Sequence, residues 1–146
     1  MKNIDFFKIG GKFIMGMVHC LPLPGTANFD GDMDRISNQA IQDAINLEKA
    51  GVDAIIIENM GDDPFNVFLD TEQVAALAAI SARIAEKVSL PIGIDAAMCD
   101  YKAALSIAKA VGGSFVRIPV FVDTVEYTCG IIEPCARAAM LYRKHI

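Results

Sequence analysis

Much is missing from this 146-residue chain, and each gap excludes something. No apolar run approaches the roughly 18 residues that a membrane-spanning helix needs, so a transmembrane protein is not expected. Lys2 and Lys8 precede an apolar run from Phe13 to Val18. That run is short and no small-residue cleavage pattern follows it, so we read no secretory signal. There is no basic block and no interleaving of basic with aromatic residues. With a net charge of −5, nucleic acid is not an expected partner. The four cysteines, Cys20, Cys99, Cys129 and Cys135, show no C-x-x-C spacing. A cytoplasmic protein with reduced thiols is the simplest expectation. Neither G-x-G-x-x-G nor G-x-x-x-x-G-K-[ST] occurs, which removes the usual nucleotide-binding signatures.

What is present is apolar. Hydrophobic residues make up 53% of the chain and mean hydropathy is +0.38, high for a domain that faces water on all sides. Part of the surface is therefore expected to meet another polypeptide. The length suits one domain with a real core, and no linker or low-complexity stretch divides residues 1–146.

The chain alternates strand and helix patterns. After a polar lead-in over residues 1–12, Phe13 to His19 reads as a first strand. Two prolines, Pro22 and Pro24, stop it. A loop of about 15 residues follows, long for a strand-to-helix connection and of the kind used as lids or binding loops. Ile36, Ala40, Ala44 and Leu47 recur at helical spacing within a helix from about Asp34 to Ala50, closed by Gly51. Asp53 to Glu58 is a β-branched run suited to a strand covered on both faces. A second helix is predicted from about Asp70 to Val88, with Asp70 and Gln73 as a capping pair. Pro91 to Asp95 is a third strand, Tyr101 to Val111 a third helix, and Phe115 to Val120 a fourth strand. A final helix is predicted from Ile131 to about Lys144, and the free amides at Gly130-Ile131 would then be a weak candidate for holding an anion.

This is βα repeated four times, with parallel strands implied because each returns through a helix. The expected fold class is α/β, a (β/α)4 unit equal to half of a TIM (β/α)8 barrel. A small doubly wound sheet is the rival reading.

Strand alternation tests the barrel reading on chemistry. Glu58 shares a face with Ile56 and Ala54, His19 with Met17 and Met15, Asp95 with Gly93, and Arg117 with Phe115 and Pro119. The opposite faces are aliphatic or glycine: Ile14, Gly16 and Val18; Ile55 and Ile57; Ile92 and Ile94; Val116, Ile118 and Val120. His19, Glu58, Asp95 and Arg117 are thus expected to meet at one mouth. A lone histidine at a strand end is ordinarily a satisfied structural group, and an Arg–carboxylate pair ordinarily neutralises a buried charge. Four such groups at equivalent strand ends favour a functional site. His19, Glu58 and Asp95 could serve as general acid and base, or hold a divalent cation. Arg117 suits a carboxylate or phosphate. A Schiff-base mechanism is not expected, because no lysine falls at a strand end.

Weaker signals have ordinary explanations. Asp30-Gly31-Asp32-Met33-Asp34 begins like a calcium loop, but Arg35 and Ile41 stand at its sixth and twelfth positions, so a solvated loop entering a helix is expected. Cys20 beside His19 reads as a small core filler in preference to a nucleophile. Asp62 and Asp63 suit a turn before Pro64.

Two long stretches, Gly16-Met17-Val18-His19-x-Leu21-Pro22-Leu23-Pro24-Gly25 and Gly51 through Phe65, together with Pro91-Ile92-Gly93-Ile94 and Phe115-Val116-Arg117, resemble the BtpA family. The resemblance runs from about residue 13 onward. It implies a TIM barrel and places His19, Glu58, Asn59, Asp62 and Arg117 on family positions, with Asn59, Asp62 and Arg117 as ligand-binding residues. The family's namesake is a cyanobacterial factor needed for photosystem I accumulation. Relatives beside sugar phosphotransferase genes imply a sugar- or nucleoside-like, often phosphorylated, ligand. This chain departs from the family at Asp95 and Pro119, where asparagine is usual. The family's barrels are also nearly twice as long, so the resemblance covers an N-terminal half. The expectation is a homo-oligomer or a second half-barrel chain as partner, a small-molecule ligand, or else an assembly factor or an inactive fragment.

Overall fold

Glycine and apolar positions on alternate sides of each strand decide how this chain layers. In the computed structural model, which describes residues 11–146, four strands and three intervening helices follow the predicted order: β1 (Met15–His19), α1 (Met33–Ala50), β2 (Ala54–Glu58), α2 (Thr71–Ala85), β3 (Ile92–Asp95), α3 (Tyr101–Val111) and β4 (Phe115–Arg117). The predicted lead-in falls largely on residues 1–10, outside the described part. The strands form one parallel sheet in the order β1-β2-β3-β4. Each βα unit therefore lies beside the next, as in a barrel wall. A doubly wound sheet would reverse direction at a switch point.

The sides of the sheet divide as the alternation predicts. Val18, Ile55, Ile57, Ile92 and Ile94 pack with Ile36, Ala40, Leu77, Ile80, Ile84, Ala104 and Ile107 of the three helices. Gly16 lies on that side too, where an added Cβ would meet Leu47 of α1 at 2.8 Å. On the other side the ring of Phe115 lies over Gly93. This apolar layer between sheet and helices is the main core, and burying it is the principal driving term for the fold.

Local signals set the helix ends. Asp32 caps α1 by accepting from Arg35 N at 2.9 Å, and Gly51 closes it at φ 82. The acidic loop before α1 is thus a helix entry. At α2 the predicted Asp70–Gln73 capping box forms, with Gln73 Oε1 accepting from Asp70 N at 2.8 Å.

The C-terminal quarter differs from expectation. Residues 131–135 are not helical: Val125–Tyr127 (β5) and Gly130–Ile132 (β6) form an antiparallel hairpin, and the last helix, α4, spans Ala136–His145. Pro134 explains this, since it disfavours helical backbone at Glu133 and so leaves Ile131 and Ile132 to their β preference. With no helix beginning at Gly130, its amides form no helix-terminal anion site. The fourth strand also ends sooner than predicted, at Arg117. Ile118 and Val120 leave the sheet and join a second small cluster with Cys99, Cys129, Ile132 and Cys135.

Candidate functional site

Parallel pairing fixes the mouth of the sheet. The register aligns His19 with Glu58, Glu58 with Asp95, and Asp95 with Arg117, so all four occupy one row across the strand ends. Their side chains form a continuous chain of contacts. His19 Nε2 lies 3.4 Å from Glu58 Oε2. Arg117 Nη1 lies 3.6 Å from Glu58 Oε1 and donates to Asp95 Oδ2 at 2.6 Å. The carboxylates are buried, with Asp95 0% and Glu58 6% exposed, whereas the His19 and Arg117 side chains are about half exposed. The row is therefore a buried acidic floor with two basic groups facing outward.

The electrostatics follow from sharing one guanidinium between two acids. Burial and the neighbouring Glu58 charge push the Asp95 carboxyl up to about 6, and Arg117 only partly offsets them. Asp95 Oδ1 is buried and has no hydrogen-bond partner among the described residues. An unmet buried acceptor is costly, and sites that receive ligands commonly hold one. The row thus offers an acid raised toward neutral pH, a second carboxyl and a histidine ring beside it, and guanidinium N–H groups that could meet an anion. Arg117 Nη1 already lies against both carboxylates. Among the described residues no group of three His, Cys, Asp or Glu side chains is arranged to hold a metal ion.

Asn59 and Asp62 are placed differently. Asn59 is 0% exposed; its Nδ2 donates to Asp62 Oδ2 at 2.9 Å and to Ala97 O at 3.2 Å, and its Oδ1 accepts from Ala97 N at 2.8 Å. Asp62 accepts from Leu23 N at 2.8 Å and from Gln73 Nε2 at 2.8 Å. Together they clamp the loops leaving β1, β2 and β3. The long loop after β1 is held by this clamp and by a Gly61 N to Cys20 O bond of 3.0 Å. Gln73 and Ala97 were not anticipated as part of the site. Gln73 carried only its capping signal, and a backbone contact such as Ala97 leaves no mark in composition or spacing.

Cys20 is 2% exposed in the main core, and burial with nearby Asp62 and Glu58 raises its thiol to about 12. It fills space and is not poised as a nucleophile. A cavity of about 500 Å³ lies elsewhere, against Phe68, Val74, Tyr101 and Ser106. None of its lining belongs to the strand-end row, where charge converges.

A parallel βα sheet with its polar row at the strand ends is the wall of a TIM-type barrel. The chain belongs to the BtpA family, whose family model matches residues 11–146. That is a TIM-barrel family, and the four βα units form half of such a barrel. An uncharacterized protein of Pyrococcus furiosus is 44% identical over 94% of this chain and 51% of its own length. An uncharacterized protein of Archaeoglobus fulgidus is 40% identical over 91% of this chain and 54% of its own. The photosystem I biogenesis protein BtpA of Synechocystis is 36% identical over 91% of this chain and 47% of its own. The chain thus spans about half the length of the curated relatives it matches. Among the described residues no helix is long and apolar enough to cross a membrane.

Proposed function

We infer that the strand-end row is one wall of a binding site for a small anionic molecule, a phosphorylated sugar- or nucleoside-like compound. In this reading His19, Glu58 and Asp95 move protons, Arg117 binds the anion, and Asn59 and Asp62 take part by fixing the loops around it. A second set of strands completes the mouth. The observation that carries the reading is the unbroken contact chain His19–Glu58–Arg117–Asp95, with half-exposed basic groups over buried acids.

Thermal-shift titration with inorganic phosphate, ribose 5-phosphate and adenosine tests it. At least one phosphorylated probe is expected to raise Tm in the parent protein. Arg117→Ala is expected to lose that shift and His19→Ala to weaken it, both with the far-UV spectrum retained. Equal shifts in parent and variants would remove the assignment.

A second reading, a non-catalytic assembly factor, draws on the printed name of the Synechocystis relative. Val122, Val125, Tyr127 and Ile131 around the hairpin, and Met140 and Leu141 on α4, are all exposed, which suits capture of another protein. Under this reading Tyr127→Ser with Ile131→Ser would abolish partner binding, and His19→Ala would leave it intact.

A further inference from the structure

Three of the four cysteines gather in one place. Cys99, between β3 and α3, is 3% exposed; Cys135, at the start of α4, is partly exposed; Cys129, in the β5–β6 turn, packs on the same cluster around Val120 and Ile132. Cys99 Sγ and Cys135 Sγ lie 4.0 Å apart across 36 residues of sequence. Both approach one acceptor, Val120 O, at 3.1 and 3.5 Å. The thiols are unbonded, yet close enough for side-chain rotation to bring the sulfurs to about 2.05 Å.

The surroundings give this pair a mechanical role. Met98 N and Cys99 N bond to Asn66 O and Val67 O, in the loop after β2. Ala136 N bonds to Phe121 O, in the segment after β4. A covalent link between Cys99 and Cys135 would therefore join the loops that follow β2, β3 and β4, four residues beyond Asp95.

We propose that Cys99 and Cys135 are a reversible disulfide site that staples the hairpin segment 118–135 to the loop at the mouth of the sheet. The oxidant is a small disulfide such as oxidised glutathione. Cys135, the more exposed thiol, loses its proton and attacks one glutathione sulfur, releasing the first glutathione thiolate. Cys99, deprotonated in turn, attacks the Cys135 sulfur of the mixed disulfide and releases the second. Two protein thiols are oxidised and one glutathione disulfide is reduced to two thiols. Burial and the neighbouring Cys99 raise the Cys135 thiol to about 11, so the exchange is slow at neutral pH and accelerates as pH rises.

The test uses the folded, fully reduced chain. It is incubated with oxidised glutathione at pH 8.5, quenched with N-ethylmaleimide in denaturant, weighed intact and mapped by peptide. The expected product carries two maleimides in place of four and yields a Cys99–Cys135 cross-linked peptide. Its Tm is several degrees higher and returns to the reduced value with dithiothreitol. Cys135→Ser, at the partly exposed position, abolishes the product, whereas Cys129→Ser leaves it. Four maleimides after oxidation, a bond through Cys20 or Cys129, or formation only in urea would each overturn the proposal. Should Cys99→Ala fail to fold, Cys135→Ser decides alone.

Discussion

Asp95 shows how one residue sets the character of the site. Its carboxyl, ordinarily at 3.8, rises to about 6 in the fold because it is buried beside Glu58. Below the ordinary value the proton is bound in both folded and unfolded chains. Between the two values the folded chain holds more protons, so stability is lost as pH rises through about 4 to 6. The loss is on the order of 2–3 kcal/mol. Asp95→Asn removes this term while keeping the shape. Urea midpoints measured from pH 4 to 7 are expected to fall less steeply for the variant than for the parent; parallel curves would show that Asp95 does not titrate there. Asn59 acts by packing and hydrogen bonding. Asn59→Ala strands Ala97 N in a buried setting and leaves Asp62 Oδ2 with Gln73 Nε2 alone. It is expected to lower stability by about 2–4 kcal/mol in urea unfolding, with little pH dependence over this range.

Between elements, two glycines mark close approach. At Gly61 an added Cβ would sit 2.5 Å from Pro22 N and 2.8 Å from Cys20 O, both backbone atoms that cannot swing away. At Gly93 it would meet the Phe115 ring, which can rotate. Gly61→Ala is therefore expected to cost about 3 kcal/mol and Gly93→Ala about 1–2 kcal/mol. Equal midpoints for the two in urea would contradict this difference. The first site holds the loop after β1 against the turn after β2, and so holds His19 against Glu58. The fourth unit shows what a periodic reading misses. Ile131 and Ile132 fit a helix stripe as well as a strand, and Pro134 carries the decision only once its effect on Glu133 is followed through.

At the scale of the molecule, the sheet runs from β1 to β4, and among the described residues no strand pairs with the outer side of either. Ile14 and Met15 near the β1 edge, and Met140 and Leu141 on α4, are exposed. Outer strands flanked by exposed apolar groups favour association. Light scattering after size exclusion is expected to give a mass near twice the chain's 15.7 kDa. Met15→Lys is expected to shift the population toward the single chain. A well-folded parent of single-chain mass at high protein concentration would refute closure by a second copy.

The βα alternation, the two faces of each strand and the row His19, Glu58, Asp95 and Arg117 are legible in the residues alone. These follow from periods of 2 and 3.6 residues and from polar residues at strand ends, which are local and survive without coordinates. What each polar group touches is set by the folded chain. It engaged Asn59 and Asp62 with Ala97, Leu23 and Gln73, left Asp95 Oδ1 without a partner among the described residues, and brought Cys99 within 4.0 Å of Cys135. Those contacts join residues 11 to 39 positions apart. Their distances depend on how the loops close over the sheet, and no local periodicity encodes that.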